Sequence, residues 1–142
     1  LVVLRGHDGP VNGVRTFVVN DAVRVVSCGS DETVRIWSIE GGDALQVLRG
    51  HSGYVRGVTT VVVNGEVRVV SCGDDGTILI WAIEGGEALQ VLRGHTGFVR
   101  GVTTFVVNNS VRVVSCGRDK RVCIWDAIKG GDPLQVLRGH SG

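Results

Sequence analysis

The 142-residue sequence contains no methionine, only two prolines and few aromatic residues. Because position 1 is leucine, we expect a chain that was cut from a longer product or trimmed at its start. No apolar run approaches the ~18 residues that a membrane-spanning helix requires, and no signal-peptide pattern opens the chain. The net charge of +1 does not indicate nucleic acid or an anionic membrane as a partner.

The four cysteines lack the spacing of a metal site. Cys28, Cys72 and Cys116 recur at intervals of 44 residues (72 − 28 and 116 − 72), and Cys123 is additional. Since no Cys-x-x-Cys pair exists and equivalent positions of neighbouring repeats lie too far apart for a disulfide, we predict four reduced, buried thiols. Reduced thiols favour an intracellular chain, which we predict to be cytoplasmic. We predict no metal and no cofactor.

A four-residue motif divides the chain into similar units. Leu-Arg-Gly-His occupies residues 4–7, 48–51, 92–95 and 137–140, at offsets of 44, 44 and 45. We therefore treat residues 1–142 as one segment whose repeats span approximately 4–47, 48–91 and 92–136, with 137–142 starting the next. A period of about 40–45 residues is typical of a four-stranded propeller blade.

Each repeat predicts four short strands joined by tight turns. In the first repeat the predicted strands are Val11–Val19, Val23–Ser27, Thr33–Ile39 and Ala44–Leu48. Asn20-Asp21 and its counterparts Asn64-Gly65 and Asn108-Asn109 suit a type I′ hairpin turn, because these residue types accept positive φ. The valine-rich runs between the turns predict an all-β fold whose sheets pack face to face.

The spacing of four residue types resembles the WD-repeat family. Each repeat has a Gly-His pair, then Ser-x-x-x-Asp, then a tryptophan six residues after the aspartate. Only Trp125 is followed by the family's aspartate, at Asp126, whereas Ser38 and Ala82 stand there in the other repeats. The resemblance covers the whole chain and implies three β-propeller blades of four antiparallel strands. The ring would be completed either by oligomerisation or by further parts of a longer chain.

The resemblance also implies a structural hydrogen-bonded tetrad in each blade. The three sets are His7, Ser27, Asp31 and Trp37; His51, Ser71, Asp75 and Trp81; and His95, Ser115, Asp119 and Trp125. Aspartate would accept from one imidazole nitrogen, the other nitrogen would accept from serine, and serine would accept from the indole. A hydrolase triad is disfavoured, since the set occurs three times and no Gly-x-Ser-x-Gly elbow is present. We therefore predict no enzyme. The histidines recur one blade apart, and His140 belongs to the next repeat, so zinc binding is also disfavoured.

Nine positions that differ between the repeats match the contact positions that WD-repeat proteins commonly use on their top face. They are Pro10, Asn12, Ser30, Tyr54, Arg56, Asp74, Phe98, Arg100 and Arg118. Aromatic and arginine side chains together are typical of interface hot spots, and arginine can hold a carboxylate or phosphate with two hydrogen bonds. We predict a scaffold for protein or peptide partners, without nucleic acid or membrane. The alternatives are a propeller that senses a small sugar or nucleotide, and the sensor part of a larger signalling protein.

Three blades are fewer than the ~4–8 that close a propeller ring. Because the end blades would leave apolar faces open, we expect head-to-tail association into a dimer of six blades or a trimer of nine. The fourth-strand segment occurs four times, at Leu1–Leu4, Leu45–Leu48, Leu89–Leu92 and Leu134–Leu137. We expect Leu134–Leu137 to pair within its own blade, because its short connection holds it close, and Leu1–Leu4 to lie outside the sheet.

Overall fold

A computed structural model describes residues 1–139, which form three four-stranded antiparallel sheets. The first blade contains β1 (Val11–Val19), β2 (Ala22–Gly29), β3 (Thr33–Ser38) and β4 (Gln46–Arg49). The second contains β5 (Val55–Val63), β6 (Glu66–Gly73), β7 (Thr77–Ala82) and β8 (Gln90–Arg93). The third contains β9 (Val99–Val107), β10 (Ser110–Gly117), β11 (Arg121–Asp126) and β12 (Gln135–Arg138). The prediction of an all-β chain with three blades is confirmed.

Two-residue hairpin turns join the first two strands of every blade. Asn20 and Asp21 have φ values of 51° and 63°, and Asn64 and Gly65 have values of 50° and 81°. Positive φ at both central positions is the requirement of a type I′ turn, whose twist matches that of the flanking strands. The turn fixes the register, so that Val19 pairs with Ala22 and Val63 pairs with Glu66.

The core lies between the blades. One cluster joins Phe17, Val26 and Leu48 of the first blade to Val55 and Val58 of the second. A second cluster repeats this arrangement between the second and third blades, where Val61 is the counterpart of Phe17. Since the buried side chains come from the facing surfaces of neighbouring sheets, each blade is stabilised mainly by the blade beside it.

Each end blade has one face that no other described blade covers. Phe105 on the third blade is 41% exposed, whereas its counterpart Phe17 is 7% exposed. On the first blade Val14 is 56% exposed, whereas its counterpart Val58 is 5% exposed. These two faces thus present apolar residues whose counterparts pack between the blades at the two internal junctions.

The cysteines are free, and three of them are buried. Burial raises the pKa of the Cys28 thiol and of the Cys72 thiol to about 12. Cys116 is exposed, so the prediction that all four thiols are buried is wrong at this position. The physical reason is that Cys116 lies on the uncovered face of the third blade, where its counterparts Cys28 and Cys72 meet a following blade.

The two ends of the described chain differ in structure. β12 pairs with β11, with Val136 opposite Cys123, while residues 1–10 form no strand. The prediction that the later copy of the fourth-strand segment is used in its own blade is confirmed. His140 and the other residues of 140–142 lie outside the described part of the chain. Residues 1–139 contain no helix that is long and apolar enough to cross a membrane.

Candidate functional site

The structure brings histidine, serine, aspartate and tryptophan together in every blade. In the second blade His51 Nδ1 lies 3.0 Å from an Asp75 carboxylate oxygen, and His51 Nε2 lies 2.7 Å from Ser71 Oγ. The indole N–H of Trp81 donates to the same Ser71 Oγ at 2.8 Å. This geometry fits an imidazole that donates from Nδ1 to the carboxylate and accepts the serine hydroxyl at Nε2.

The first and third blades repeat these distances closely. The histidine–serine distance is 2.7 Å in both, and the tryptophan–serine distance is 2.9 Å in both. The histidine–aspartate distances are 3.0 Å and 2.9 Å. All twelve side chains that the sequence assigned to the three sets therefore lie within hydrogen-bond distance of their expected partners.

A threonine that the sequence reasoning missed extends two of these networks. Asp75 also accepts from the backbone N–H of Thr77 at 3.0 Å and from its hydroxyl at 2.8 Å. Thr33 makes the same contacts with Asp31 in the first blade, whereas the third blade has Arg121 at this position. The signal was present in the sequence, because threonine follows the aspartate by two residues in the first two repeats and can close a local turn.

The aspartates are held in their ionised form. Burial alone would raise the pKa of Asp31, but hydrogen bonds from the Asp8 amide, Thr33 and His7 outweigh it and lower the pKa to about 2. The pKa of Asp75 is lowered against the effect of burial in the same way, chiefly by the hydrogen bond from His51. These carboxylates are consequently permanent acceptors at neutral pH.

The serine is not positioned as a nucleophile. Ser71 has no exposed surface, and its oxygen already accepts from Trp81. A nucleophilic serine must reach a substrate carbonyl beside oxyanion donors, which requires access that this hydroxyl lacks. Among residues 1–139 no group of three or more His, Cys, Asp or Glu side chains is arranged to hold a metal ion.

The nine copy-variable residues lie at the end of the blades where the second strand runs into the third, and we call this end the top face. Three of them precede the first strand of a blade, three are the second residue of that strand, and three occupy the loop between the second and third strands. In the first blade Asn12 donates to Ser30 Oγ at 3.2 Å and to the carbonyl of Val55 in the next blade at 2.9 Å. The carbonyl of Pro10 accepts from Ser30 N at 2.9 Å.

The second blade carries a neutralised arginine on the top face. Arg56 donates from Nε and Nη2 to the two carboxylate oxygens of Asp74, at 2.8 Å and 2.9 Å. Its guanidinium carbon lies 5.1 Å from the ring centroid of Tyr54, which is itself exposed. Hydrogen bonding to Asp74 raises the pKa of Arg56, so the arginine charge is permanent and is balanced within the blade.

The third blade carries two arginines around one aromatic ring. The guanidinium carbons of Arg100 and Arg118 lie 5.5 Å and 5.4 Å from the ring centroid of Phe98. Both distances are within the range of a cation–π contact. No ion pair found among residues 1–139 involves Arg100 or Arg118. The top face is therefore balanced in charge at the second blade and positive at the third.

Comparison with known protein families gives a match to the WD domain, G-beta repeat, over residues 1–38, 42–82 and 86–126. A comparison with curated proteins finds no match. Domains of this kind generally mediate protein interactions. The three matches cover most of the sequence, and each contains the first three strands of one blade together with its histidine, serine, aspartate and tryptophan. The chain belongs to the WD-repeat family.

Proposed function

We propose that this chain is a non-enzymatic scaffold that binds a protein or peptide partner on the top face. The observation that carries the proposal is the pairing of aromatic rings with arginines at the surface. The exposed ring of Tyr54 pairs with Arg56, and the half-buried ring of Phe98 pairs with the exposed Arg100 and Arg118. Aromatic and arginine residues dominate the binding energy of protein interfaces. The proposed partner-binding residues are the nine top-face positions.

We also propose that the tetrads hold the loops of the top face in place. His51 lies in the loop that enters the second blade, and Tyr54 and Arg56 follow it by three and five residues. The hydrogen bonds of His51 tie that loop to Ser71 on β6 and to Asp75 before β7. A loop that is fixed in this way presents its contact residues with little loss of conformational entropy on binding.

The test is a peptide selection followed by affinity measurement. A random-sequence peptide library displayed on phage would be selected on the chain, and fluorescence anisotropy would give the dissociation constants of the enriched peptides. We expect the variant Y54A/R56A/F98A/R100A to bind them at least about tenfold more weakly, because each hot-spot residue is typically worth ~2 kcal/mol or more.

The matched control carries four alanine substitutions of exposed residues in the turns at the opposite end of the blades: E40A/E84A/I128A/K129A. This variant should bind like the parent. Peptides that bind the top-face variant with parental affinity, or a selection that enriches none, would overturn the proposal.

We also propose that chains associate head to tail into a closed ring, a dimer of six blades or a trimer of nine. The uncovered face of the third blade carries Phe105, Cys116 and Leu137, and the uncovered face of the first carries Val11 and Val14. Their counterparts pack in the two clusters at the internal junctions, where all are buried except the partly buried Val102. The third blade of one copy could therefore pack against the first blade of a second copy in the way that neighbouring blades pack within one chain.

Charges at the rim of the proposed junction are complementary. A Cβ atom built on Gly76 would lie 3.3 Å from the Gly97 carbonyl and 3.5 Å from the His95 carbonyl, so position 76 borders the loop around Thr96. The repeat relation makes Lys120 the counterpart of Gly76 and makes Asp8 the counterpart of Thr96. Lys120 of one copy would thus border Asp8 of the next, which adds a favourable charge pair at the junction between copies.

Sedimentation velocity tests the ring. We expect the parent chain to sediment as a dimer or trimer and the variant F105E to sediment as a monomer, because a buried, unpaired carboxylate is costly. The control V62E places the same charge on a residue that is 54% exposed in the middle blade, away from both uncovered faces. A parent chain that is a folded, monodisperse monomer would refute the ring.

A further inference from the structure

We infer that the top face of the third blade is a carboxylate-binding site, formed by Arg100, Arg118 and Phe98, that takes an acidic side chain of a partner peptide. The inference rests on the proposed scaffold function and names the chemistry of its partner. We call these three residues the arginine corner.

The second blade has an aromatic ring and an arginine at the equivalent positions, Tyr54 and Arg56, together with a carboxylate that the arginine already binds. Asp74 accepts two hydrogen bonds from Arg56, and the guanidinium of Arg56 also lies over the ring of Tyr54. This parallel arrangement of two N–H···O bonds is the strongest that an arginine makes with a carboxylate.

The third blade keeps the aromatic ring and the arginine but lacks the carboxylate. Phe98, Arg100 and Arg118 replace Tyr54, Arg56 and Asp74 at equivalent positions, 44 residues further along (98 − 54, 100 − 56 and 118 − 74). The two loops make the same backbone contact: the Asp74 amide donates to the Tyr54 carbonyl at 2.8 Å, and the Arg118 amide donates to the Phe98 carbonyl at 2.9 Å. Replacing aspartate by arginine at this point reverses the charge and leaves Arg100 without its internal acceptor.

The neighbouring acidic residue does not supply that acceptor. Asp119 lies directly after Arg118, but its carboxylate is 4% exposed and accepts from His95 Nδ1 and from the Thr96 amide. Two guanidinium groups that lie against the same ring repel each other, and an anion that binds both offsets that repulsion. The corner therefore favours an acceptor from another molecule.

The size of the positive region favours a peptide over nucleic acid. Lys120 and the first residue of β11, Arg121, extend the positive charge of the third blade, but the first blade carries Glu32 in place of Lys120 and Asp8 in place of Thr96. A nucleic-acid backbone requires a basic track that follows several phosphates. A short positive corner beside the half-buried ring of Phe98 and the exposed ring of Tyr54 instead fits one or two acidic side chains flanked by apolar ones.

Charge reversal at position 118 tests the site with defined probes. The probe is a fluorescein-labelled peptide, Gly-Leu-Glu-Glu-Leu-Gly, and its control peptide has glutamine in place of both glutamates. We expect the parent chain to bind the acidic peptide at least about tenfold more tightly than the control, and Arg118→Asp to abolish the difference. In that variant the new aspartate would hold Arg100 as Asp74 holds Arg56.

Two further variants match the charge changes. Lys129→Asp makes the same change in net charge at the opposite end of β11 and should bind like the parent. Asp74→Arg recreates the arginine corner on the second blade and should increase the affinity for the acidic peptide at least about threefold. Tryptophan fluorescence of each variant would show that the buried indoles keep their native environment.

The outcomes separate this inference from the proposed function. Equal binding of the acidic and glutamine peptides, or parental binding by Arg118→Asp, would overturn the carboxylate site. If one of these results is found while library-selected peptides without acidic residues still lose affinity in Y54A/R56A/F98A/R100A, the scaffold function stands and only the inference falls. A fluorescein-labelled oligothymidylate that binds more tightly than the acidic peptide would also overturn it.

Discussion

Replacing Asp75 by alanine would remove the acceptor on which the tetrad of the second blade depends. The carboxylate accepts from His51 Nδ1 at 3.0 Å, from the Ser52 amide at 3.0 Å, and from the Thr77 amide and hydroxyl at 3.0 Å and 2.8 Å. The His51 side chain is only 1% exposed, so its Nδ1–H has little access to a replacement water.

The expected cost follows from which donors lose their partner. A buried donor that is left unsatisfied costs about 1–3 kcal/mol. Ser52 is exposed, so water can replace the carboxylate at its amide, whereas His51 and Thr77 are buried. We therefore expect Asp75→Ala to lower the free energy of unfolding by about 2–3 kcal/mol.

The preceding aspartate provides the matched control. Asp74 also accepts two hydrogen bonds, but its partner Arg56 is 28% exposed, and ion pairs near the surface contribute about 0–1 kcal/mol. Urea unfolding followed by tryptophan fluorescence, at one protein concentration for all variants, would give both free energies. If Asp75→Ala and Asp74→Ala differ by less than about 0.5 kcal/mol, the structural role of the tetrad is wrong for this blade.

The pH dependence of this effect has a definite sign. Hydrogen bonds from His51 and from the Ser52 and Thr77 amides, acting against burial, lower the pKa of Asp75 below its unfolded value of about 3.9. A lowered pKa contributes stability that is present above the unfolded pKa and is lost as the pH falls through the folded pKa. The stability difference between the parent and Asp75→Ala should therefore be constant between about pH 5 and 7 and decrease below about pH 4. A difference that grows on acidification would contradict this assignment.

Two further predictions concern the proposed ring. In the dissociated chain iodoacetamide should modify Cys116 and leave the three buried cysteines unmodified, as mass spectrometry would show. Association should protect Cys116, and equal labelling of dilute and concentrated protein would contradict its burial at the junction. Asp8→Lys and Lys120→Glu should each weaken association, by about two- to fivefold in dissociation constant, and the double variant should restore it. Sedimentation equilibrium would measure these constants, and two single effects that simply add in the double variant would show that the two charges do not meet.

Much of the fold could be predicted from the sequence, because the information was local or repeated three times. The period of the Leu-Arg-Gly-His motif predicted the three blades, and the paired turn residues, such as Asn20-Asp21, predicted the hairpins that the structure contains. The residues of each tetrad could be chosen because histidine, serine, aspartate and tryptophan recur at constant spacing. The resemblance to a known family then supplied their expected hydrogen bonds.

Charge balance on the top face was decided by the tertiary structure. Arg56 and Asp74 were both predicted as partner-binding residues, yet they bind each other across 18 positions of sequence. At the equivalent positions of the third blade, Arg100 and Arg118 both lie against the ring of Phe98. Sequence spacing identified which positions share the surface. It did not indicate which charges are within bonding distance. That depends on the register of the first two strands, which places the start of the first strand beside the loop that follows the second.

Burial at the uncovered faces was decided in the same way. Cys28 and Cys116 occupy the same position of the repeat with the same neighbours in sequence, but only Cys28 is covered by a following blade. The repeat pattern determines which side chains point toward a neighbouring sheet. Whether that neighbour is present depends on the arrangement of whole blades, since each apolar face in this fold is buried by a separate unit.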